Sequence, residues 1–383
     1  MKIVLVEPIG GHGGMEIYDY GIAKSLAEHG CEVTYITCDK TRDLGSRYNI
    51  TVKKFFGSMY DRHRSPLLRF LSFLKGGMNS VRYIRKHDYD VAQLHIFTFS
   101  LVELFLLISS LFYKTRVFVN IHDPISFGRK SNRLIKLIFI KLLSFSKIVV
   151  TTHTNYSKSI LKEMLPGKEV VLMPHSDIDF IHEYDSFPQE VKTKYGLEKS
   201  DNFVLFFGQI KKTKGLETLL KAWPMVIKRC PELKLLIVGR CWQNDCSIYD
   251  ELINKLGIGR HVVWKKGYVP DEDVPSYFSL AEVVVLPYTR IYSSGVLLRA
   301  MGYGKPVIVS DQPAFTEIVE HNLTGLVFVT EDVVDLSEKI VEVIKNPDLQ
   351  KNLTFNASKL MENKYSWDAV GKKMLSIFKG EVE

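Results

Sequence analysis

The chain has 383 residues, of which 46% are hydrophobic and 25% are charged. This composition is typical of a folded protein of two or three domains, and it argues against disorder, collagen-like repeats and coiled coils. The net charge of +8 is uneven, because residues 1–180 hold 25 Lys and Arg against 16 Asp and Glu, whereas the remainder holds 26 against 27. The charge therefore predicts that the first half meets an anionic surface or ligand.

Cysteine usage and hydropathy predict a cytoplasmic protein. The five cysteines are odd in number and include no C-x-x-C pair, so we expect free thiols in a reducing compartment and neither a disulfide framework nor a structural zinc site. Lys2 leads directly into an apolar strand pattern, without the pattern of a signal peptide. The most apolar run, Leu101–Phe112, contains Glu103 and is too short to span a bilayer.

Short apolar runs alternate with amphipathic helical patterns along the chain. The first such unit is a strand, a glycine-rich turn, a helix over Glu16–Ala27 and a second strand. Near-continuous Val, Ile and Leu in the strands indicate parallel sheets that are buried on both faces. We predict strands at Ile3–Val6, Val33–Thr37, Val91–Leu94, Val117–Asn120, Ile148–Thr151 and Val170–Met173, and then at Phe203–Phe207, Lys234–Val238, Val262–Trp264, Val283–Leu286, Val307–Val309 and Leu326–Val329.

This alternation predicts an α/β fold with two Rossmann-like, doubly wound domains. The first domain is expected over residues 1–180 and the second over residues 201–365. A hinge is expected at 181–200, where polar residues replace the apolar periodicity.

The first predicted strand is followed by the sequence GGHGG at Gly10–Gly14. Glycine lets a backbone turn tightly and approach a ligand, and the helix that follows presents free N–H groups to a phosphate. The dinucleotide fingerprint G-x-G-x-x-G fails, because Glu16 stands at its third glycine position. The turn is therefore interpreted as a loop that approaches a phosphorylated or sugar ligand or as a tight connection without a ligand. A dinucleotide, with Asp39 at its ribose, remains as a third alternative.

Two stretches of the second half carry the stronger signal. In FFGQIKKTKGLETLLKAW, which begins at Phe206, a strand is followed by Lys211, Lys212 and Lys214 and then by a helix. Positive side chains beside a helix N-terminus favour an anion site, and the alternative is a solvated basic loop.

The second stretch is PYTRIYSSGVLLRAMGYGKPVIVSD, Pro287–Asp311. A serine before the helix at Gly295 is expected to cap it and to leave backbone N–H groups free for another phosphate. The alternative is a well-capped helix of the core.

Metal and nucleic-acid sites are not expected. The D-x-D strings are interpreted as turn and cap residues, since none follows a buried strand, and Cys241 and Cys246 are interpreted as ordinary thiols without a histidine at metal spacing. His153 and His175 are interpreted as loop or hinge residues. No nucleic-acid module accompanies the basic charge, so no nucleic-acid partner is predicted.

Taken in order and spacing, these pieces resemble the retaining GT-B glycosyltransferases of the family 4 type, over essentially the whole chain. The matching pieces are the glycine turn, IHD at Ile121–Asp123, FFGQIKKTKG, LLIVG at Leu235–Gly239, VVWKKGYVPDEDVPSYFSLAEVVVLPY, the stretch from GVLLRAMGYGKPVIVSD to NLTGLVF, and YSW at Tyr365–Trp367. The resemblance implies two domains that face each other across a cleft, with the last helix, 366–383, packed back onto the first domain.

The resemblance also implies an activity. The second domain would bind a nucleotide-diphosphate sugar, and the sugar would pass with retention of configuration to an acceptor held by the first domain, with no cofactor and no metal, because Lys and Arg neutralise the leaving diphosphate. The implied catalytic residues are Lys214, at the diphosphate, and His122, at the reacting sugar, although His122 is also consistent with a residue that only orders its loop. The implied donor-binding residues are Gly13, Gly14, Gly208, Gln209, Lys211, Lys214, Ser293, Ser294, Gly295, Val296 and Arg299.

The chain departs from the family pattern at three positions. Gln209 stands where the family usually has an arginine, and Ile291 and Arg299 stand where it usually has two glutamates. Three functions therefore remain open: a glycosyltransferase that acts on a glycan or lipid-linked acceptor in cell-surface polysaccharide or glycoconjugate synthesis, a degenerate, non-catalytic partner of an active glycosyltransferase, and a nucleotide-sugar epimerase.

Two segments of the first half, Lys53–Lys86 and Arg129–Lys147, interleave cations with Leu, Ile and Phe. A basic amphipathic surface attracts anionic headgroups, which favours a peripheral position at the inner face of the plasma membrane. The alternative is a pair of packed helices with solvated basic faces.

Overall fold

The computed structural model describes residues 1–9, 14–57, 65–125, 132–176 and 202–381. The chain divides into two compact units, one formed by Met1–Ser176 with Ser366–Glu383 and the other by Asp177–Tyr365. The hinge predicted at 181–200 lies outside the described residues. No helix in the described ranges is long and apolar enough to cross a membrane.

The first unit is built on a seven-stranded parallel sheet in the spatial order β3-β2-β1-β4-β5-β6-β7. Its strands are β1 (Lys2–Val6), β2 (Glu32–Cys38), β3 (Thr51–Phe56), β4 (Val91–Ile96), β5 (Arg116–Ile121), β6 (Ile148–Thr152) and β7 (Val170–Leu172). The strands at its centre are buried along their length except for the first residue of β1 and of β5, as the apolar runs predict.

Helices cover this sheet. They are α1 (Gly14–Glu28), α2 (Gly45–Tyr48), α3 (Pro66–Lys86), α4 (Leu101–Ser110), α5 (Arg133–Leu143) and α6 (Asn155–Met164). The charge inside the most apolar run is explained by a capping box at the start of α4, because the Glu103 carboxylate accepts from the Ser100 backbone while the Ser100 hydroxyl accepts from the Glu103 N–H.

The strand β3 is a correction to the sequence analysis, which treated Lys53, Lys54 and their neighbours as part of a basic amphipathic segment. Thr51–Phe56 instead pairs with β2 at the edge of the sheet. An edge strand is only half covered, so it tolerates lysines that a central strand would exclude. The other twelve strands lie where the sequence predicts them, with ends that differ by one or two residues.

The second unit holds a six-stranded parallel sheet in the order β10-β9-β8-β11-β12-β13. The strands are β8 (Asn202–Phe207), β9 (Leu233–Gly239), β10 (Val262–Lys266), β11 (Ala281–Leu286), β12 (Val307–Ser310) and β13 (Leu326–Phe328). The helices are α7 (Leu216–Arg229), α8 (Ser247–Lys255), α9 (Val274–Ser279), α10 (Gly295–Gly302), α11 (Pro313–Thr316), α12 (Val333–Lys345) and α13 (Pro347–Leu360). Two Rossmann-like α/β domains are thereby confirmed.

The last helix, α14 (Trp367–Lys379), belongs to the first unit and packs on α1. The Ser25 hydroxyl donates to the Trp367 carbonyl, and a Cβ built at Gly21 would lie 2.2 Å from the Trp367 ring. Glycine therefore allows the indole of α14 to lie directly on the backbone of α1.

The expectation for Cys241 and Cys246 is wrong, because the two form a disulfide with a Cα–Cα distance of 5.6 Å. The short 3₁₀ turn Trp242–Asn244 between them reverses the chain and brings the two side chains together. Cys31, Cys38 and Cys230 are buried free thiols.

The strand order reverses between β1 and β4 in the first sheet and between β8 and β11 in the second. In open α/β sheets, ligands bind at the carboxyl ends of the strands beside such a reversal. We therefore expect a ligand site at the carboxyl ends of the strands in each sheet, beside the reversal.

Candidate active site

Two loops meet at the carboxyl ends of β8 and β11, beside the reversal in the second sheet. One follows β8 and runs from Gly208 into the 3₁₀ turn Lys212–Lys214, and the other follows β11 and leads to α10. The Thr289 N–H of the second loop donates to the Thr213 carbonyl of the first, with an N···O distance of 3.0 Å. The two sequence motifs of the second half thus form one structure.

Glycine is required where these loops pass their neighbours. Gly215 has a φ of +66°, and a Cβ built there would lie 1.7 Å from the Pro287 carbonyl oxygen. Gly239, at the end of β9, has a φ of +147°, and its Cβ would lie 1.9 Å from the Gly208 carbonyl oxygen. A Cβ at Gly208 would meet the Val296 side chain at 3.6 Å. The loop after β8 therefore lies beside the first turn of α10.

The helix α10 begins at a serine cap, as predicted. The Ser294 Oγ accepts from the Leu297 N–H at 3.3 Å, and the Ser294 side chain is buried. Gly295 and Val296 belong to the first turn, whose N–H groups have no acceptor inside the helix, and both residues are partly exposed, as is Ser293. An exposed helix N-terminus of this kind favours an anion.

Lys214 stands at the crossing of the two loops. Its Nζ lies 3.7 Å from the centroid of the Tyr288 ring, and Tyr288 is fully buried. Burial raises the pKa of the Tyr288 hydroxyl, so the ring that contacts the Lys214 ammonium is neutral. This contact fixes where the lysine charge is held.

The other predicted donor residues of this unit differ in exposure. Lys211 is half-buried at the start of the 3₁₀ turn, and Gln209 is exposed in the loop after β8. The side chain of Arg299 is buried in the second turn of α10, with 5% of its surface exposed. Ile291, which replaces a family glutamate, is also buried.

A cavity of about 460 Å³ opens beyond β10 at the same edge. Its lining includes Trp264, Lys266, Tyr268 and Tyr277. The Gly267 N–H donates to the carbonyl at the end of β9 at 3.3 Å, which joins the cavity wall to the neighbouring loop. Aromatic side chains with a few polar groups are the usual lining of a small-molecule pocket.

In the first unit, four histidines lie at the carboxyl ends of four neighbouring strands. His95 is in β4, His122 follows β5, His153 follows β6, and His175 follows β7. The ring of Tyr18 in α1 lies among them, with centroid distances from 4.9 to 5.8 Å. The two histidines that were expected to be loop or hinge residues are therefore part of one aromatic cluster with the predicted catalytic His122.

Hydrogen bonds join these rings. The His95 Nδ1 lies 3.0 Å from the His122 Nε2. The Asn120 Nδ2 lies 3.3 Å from the His122 Nε2 and 2.9 Å from the His153 Nε2. The His153 Nδ1 lies 3.0 Å from the Met173 carbonyl oxygen. Three of the four histidines are thus links in a single chain of contacts.

Burial keeps these histidines neutral. It lowers the pKa of His95 to about 3 and that of His153 to about 4. The pKa of His122 is lowered well below its ordinary value by burial first and then by the neighbouring histidines. Each neutral ring donates through one nitrogen and accepts through the other.

A layer of buried carboxyl groups lies beside the histidines. The Asp19 Oδ2 accepts from the Tyr35 hydroxyl at 2.8 Å, and its Oδ1 lies 3.8 Å from the His95 Nε2. Burial raises the pKa of Asp19 to about 8, against the lowering effect of the Tyr35 hydrogen bond. The pKa of Glu7 is also raised, by burial and by Asp19. At neutral pH the cluster is therefore a largely uncharged polar core.

The glycine turn is only partly described. Gly13 lies outside the described residues, and Gly14 is the exposed first residue of α1. Within the described ranges, no group of three or more His, Cys, Asp or Glu side chains is placed to hold a metal ion.

Sequence reasoning missed Asn120, His95, Tyr18 and Asp19 in the first unit and Tyr288 in the second. A signal for two of them was present, because Asn120 ends the predicted strand before the IHD motif and His95 directly follows the predicted strand Val91–Leu94. Tyr18 and Asp19 lie on a helix pattern, where nothing local distinguishes them from core and surface residues.

Two family models match the chain. Residues 12–176 match the model described as Glycosyltransferase Family 4, and residues 188–360 match the model described as Glycosyl transferases group 1. The chain belongs to the family 4, group 1 glycosyltransferases. The resemblance drawn from the motifs is thereby confirmed at the level of the family.

Relatives of this family 4 glycosyltransferase are distant. An uncharacterized glycosyltransferase of Methanocaldococcus jannaschii is 29% identical over 49% of the chain and 47% of its own length. A GDP-mannose-dependent alpha-(1-6)-phosphatidylinositol monomannoside mannosyltransferase of Mycobacterium tuberculosis is 26% identical over 61% of the chain and 62% of its own length. The chain thus matches about half to three fifths of these relatives.

Among solved structures, Anabaena HepE in complex with UDP-glucose is similar over 99% of this chain and 100% of that one. The TM-score is 0.77 at 17% sequence identity. At that identity the likeness shows that this glycosyltransferase has the GT-B fold.

Proposed function

We propose that this chain transfers a sugar from a nucleotide-diphosphate sugar to a glycan or lipid-linked acceptor, with retention of the anomeric configuration. The observation that carries the proposal is the crossing of the two loops after β8 and β11 in the second unit. The Lys214 ammonium and the capped N-terminus of α10 both lie in these loops. Both features stabilise an anion, and a leaving diphosphate is the group in glycosyl transfer that gains negative charge.

The remaining parts of the donor have matching surroundings. The cavity beyond β10 offers Trp264 and Tyr268 for a nucleoside base, and it adjoins the loop after β9. The HepE structure, of the same fold, holds UDP-glucose. In this proposal the base occupies the cavity and the diphosphate lies along the loop crossing. The family resemblance supports His122 as a catalytic residue.

The finer parts of the proposal are the stereochemistry and the acceptor. Retention is supported by the resemblance to retaining family 4 enzymes, and the coupling constant of the product's anomeric proton measures it. A lipid-linked acceptor is supported by the relative named for action on phosphatidylinositol monomannoside. A role in cell-surface polysaccharide or glycoconjugate synthesis follows from such an acceptor.

A non-catalytic partner function has one observation in its favour, which is that Ile291 and Arg299, at the two usual glutamate positions, are both buried. A thermal-shift screen with UDP, GDP, ADP and their sugars, with and without Mg²⁺, separates the functions. A ligand at 100 times its dissociation constant raises stability by about 2.7 kcal/mol. Binding followed by transfer supports the enzyme, donor conversion without acceptor supports an epimerase, and no binding to any donor supports the partner function.

Replacement of Lys214 tests the site itself. Lys214→Ala removes a charge-assisted contact to the diphosphate, so donor affinity should fall by on the order of 1.5–3 kcal/mol, measured by calorimetric titration. Lys221→Ala is the matched control, because Lys221 is an exposed cation of the adjoining α7. Equal donor affinity in the Lys214 variant and the wild type would remove this lysine from the site.

A peripheral membrane position is also proposed, on the structure of one face of the first unit. Helix α3 packs against α4, and α4 against α5. Large apolar side chains on these helices are exposed, among them Leu67 at 66% and Leu134 at 64%. We call this set the apolar–basic face; its apolar members are Leu67, Leu68, Phe70, Leu71, Leu101, Ile108, Phe112, Leu134, Leu137 and Ile138, and its cations include Lys75, Arg82, Arg133, Lys136 and Lys141.

Exposed leucines beside cations are the chemistry of a surface that inserts shallowly into anionic lipid. An anionic membrane is the occupant that matches both the apolar side chains and the excess positive charge of the first half. It would also bring a lipid-linked acceptor to the enzyme.

A further inference from the structure

The Cys241–Cys246 disulfide joins a buried cysteine to a partly exposed one. Cys241 follows β9 and lies in the apolar core of the second unit, whereas Cys246 directly precedes α8 and is partly exposed. The turn between them is at the surface, where the Trp242 side chain is exposed. Thiol–disulfide exchange depends on access to the attacked sulfur. A dissolved thiol therefore reaches this bond from the side of Cys246.

This disulfide closes a short loop, since the two cysteines are only five positions apart. The stability that a disulfide adds by restricting the unfolded chain is smallest for short loops. The second unit also has a continuous apolar core, which includes residues of β8, β9, β11 and α7. Opening of the bond should therefore change the surrounding loop and leave the fold of the unit intact.

Backbone hydrogen bonds connect the disulfide loop to the loop after β8. The Trp242 N–H donates to the Ile210 carbonyl at 2.7 Å, and the Ile210 N–H donates to the Arg240 carbonyl at 2.9 Å. These two bonds form a parallel bridge between Ile210 and Cys241. Ile210 is buried and immediately precedes Lys211, where the lysine turn begins. The position of Cys241 therefore bears on the backbone that leads into the loop crossing.

The other end of the disulfide is connected to the cavity beyond β10. Cys246 stands at the start of α8, and Asp250, one turn later, accepts from the Lys266 ammonium at 2.7 Å. Lys266 lines the cavity, and its Nζ lies 4.6 Å from the centroid of the Trp264 ring. The disulfide thus joins two segments that contact different parts of the proposed donor site.

We propose that the Cys241–Cys246 pair is a reversible redox modification site that sets the affinity for the donor, with the oxidised protein as the tighter binder. The proposal rests on the proposed function, in which the loop crossing and the cavity hold the nucleotide sugar. The disulfide orders its loop before the donor binds. The reduced loop is ordered only on binding, which costs conformational entropy and weakens the complex.

A dithiol supplies the two electrons and two protons that reduction requires. One thiolate of the dithiol attacks the Cys246 Sγ, so the bond between the cysteines breaks and Cys241 leaves as a thiolate that takes up a proton. The second thiolate then attacks the dithiol sulfur that is bonded to Cys246. Cys246 leaves as a thiolate and takes up the second proton, and the dithiol ends as a disulfide. A small-molecule disulfide reverses both steps by the same exchange.

The first test reads the state of the pair in the folded wild type. After oxidised glutathione, alkylation with iodoacetamide in denaturant and peptide mass spectrometry should find Cys241 and Cys246 unmodified. After treatment of the folded protein with dithiothreitol, both should be alkylated, and renewed oxidation should protect them again. Alkylation of both cysteines in the oxidised sample, or resistance of the pair to dithiothreitol, would overturn the proposal.

The second test measures hydrogen–deuterium exchange of the oxidised and reduced wild type without a ligand. Reduction should accelerate exchange of the Ile210 and Trp242 N–H groups about tenfold, because their bridge opens more often. The N–H groups of β12, which β11 separates from β8, are the internal control. Faster exchange at Trp242 alone would show that the loop after β8 does not depend on the disulfide. This measurement needs no donor, so it distinguishes failure of this proposal from failure of the proposed function.

The third test measures affinity for UDP-glucose and GDP-mannose by calorimetric titration. The dissociation constant of the sugar nucleotide that binds should rise about tenfold on reduction of the wild type, as expected for the ordering of a few side chains and one loop. Cys246→Ser should match the reduced wild type and not respond to dithiothreitol. Cys230→Ala is the matched control, because Cys230 is a buried free thiol of the same unit, and it should respond like the wild type. Equal affinity of the oxidised and reduced wild type would refute the proposal.

Discussion

Asp19 is the residue whose ionisation the fold changes most clearly. Its carboxyl is 1% exposed, receives the Tyr35 hydroxyl on one oxygen and has the His95 ring near the other. Burial is the largest influence and raises its pKa from 3.8 to about 8, while Glu16 raises it further and Tyr35 lowers it. The folded protein therefore keeps a proton that the unfolded chain releases near pH 4.

This difference predicts a pH dependence of stability. Between about pH 4 and pH 8 the native state binds the extra proton, so the contribution of Asp19 falls as pH rises, by at most about 1.4 kcal/mol per pH unit. It is complete below pH 4 and lost above pH 8. In Asp19→Asn the contribution is absent. Urea unfolding of both proteins from pH 5 to 9 measures their free energies of unfolding. The free energy of unfolding of the wild type, relative to that of Asp19→Asn, should fall steadily until about pH 8.

The comparison between the two proteins is needed because the histidines act in the opposite direction. The pKa values of His95 and His153 fall to about 3 and about 4, so their contribution to stability grows as pH rises toward 6.5. Both residues are present in both proteins, and their contribution cancels in the difference. Parallel stability curves would show that Asp19 is ionised in the folded state.

The histidine cluster shows where sequence reasoning stopped at the residue scale. His122 was found through the IHD motif, because strand, histidine and aspartate are adjacent in the chain. Asn120 lies in β5, two positions before His122. Its partner His153 lies 33 positions away, and His95 is on another strand. Only the parallel register of β4, β5 and β6 brings these ends together.

At the scale of elements, the loop crossing of the second unit depends on glycine. Gly215 ends the lysine turn with a positive φ and faces the Pro287 carbonyl at a distance that no Cβ tolerates. Gly257 has almost the same φ, +65°, but nothing lies within 4 Å of a Cβ built there. A comparison of substitutions at the two positions therefore distinguishes the cost of a left-handed backbone from the cost of a steric collision.

Alanine at these two positions should have unequal effects. Gly257→Ala should lower the free energy of unfolding by about 1–2 kcal/mol, the cost of a left-handed residue with a side chain. Gly215→Ala adds the collision with Pro287 and should cost more, and it should also weaken donor binding because the two loops must move apart. Urea unfolding and calorimetric titration measure both quantities. Equal losses of stability with unchanged donor affinity would show that the crossing is not needed by the site.

Most elements were predictable because their physical signals are local. A buried parallel strand is a run of Val, Ile and Leu, and twelve such runs form strands. The exception, Thr51–Phe56, is an edge strand whose two lysines hide the pattern. The disulfide between Cys241 and Cys246 was missed for a related reason, because the turn that joins the two cysteines has no apolar periodicity.

At the scale of the whole molecule, the two sheets share the order of six strands, the first sheet has a seventh, and the two units differ in charge and surface. The order of six strands around the first reversal is common to both sheets, and it accounts for the similarity to other GT-B proteins at low sequence identity. The excess of cations and the leucines of the apolar–basic face both belong to the first half of the chain. The shared fold supplies the site edges, and the apolar–basic face is specific to one unit.

That face predicts binding to anionic vesicles. The wild type should sediment with vesicles that contain phosphatidylglycerol at low salt and less at high salt, because salt screens the attraction of about 1 kcal/mol per Lys or Arg. The combined variant Leu67→Ser, Leu71→Ser, Leu134→Ser loses apolar area that would enter the lipid, which should reduce the bound fraction more than tenfold, or about 2–4 kcal/mol. Phe355→Ser is the matched control, since Phe355 is 60% exposed on the other unit. Equal sedimentation of the combined variant and the control would show that the exposed leucines do not enter the lipid. Sedimentation of the wild type that is equal at both salt concentrations, or absent at both, would show that the cations do not attract the protein to the membrane.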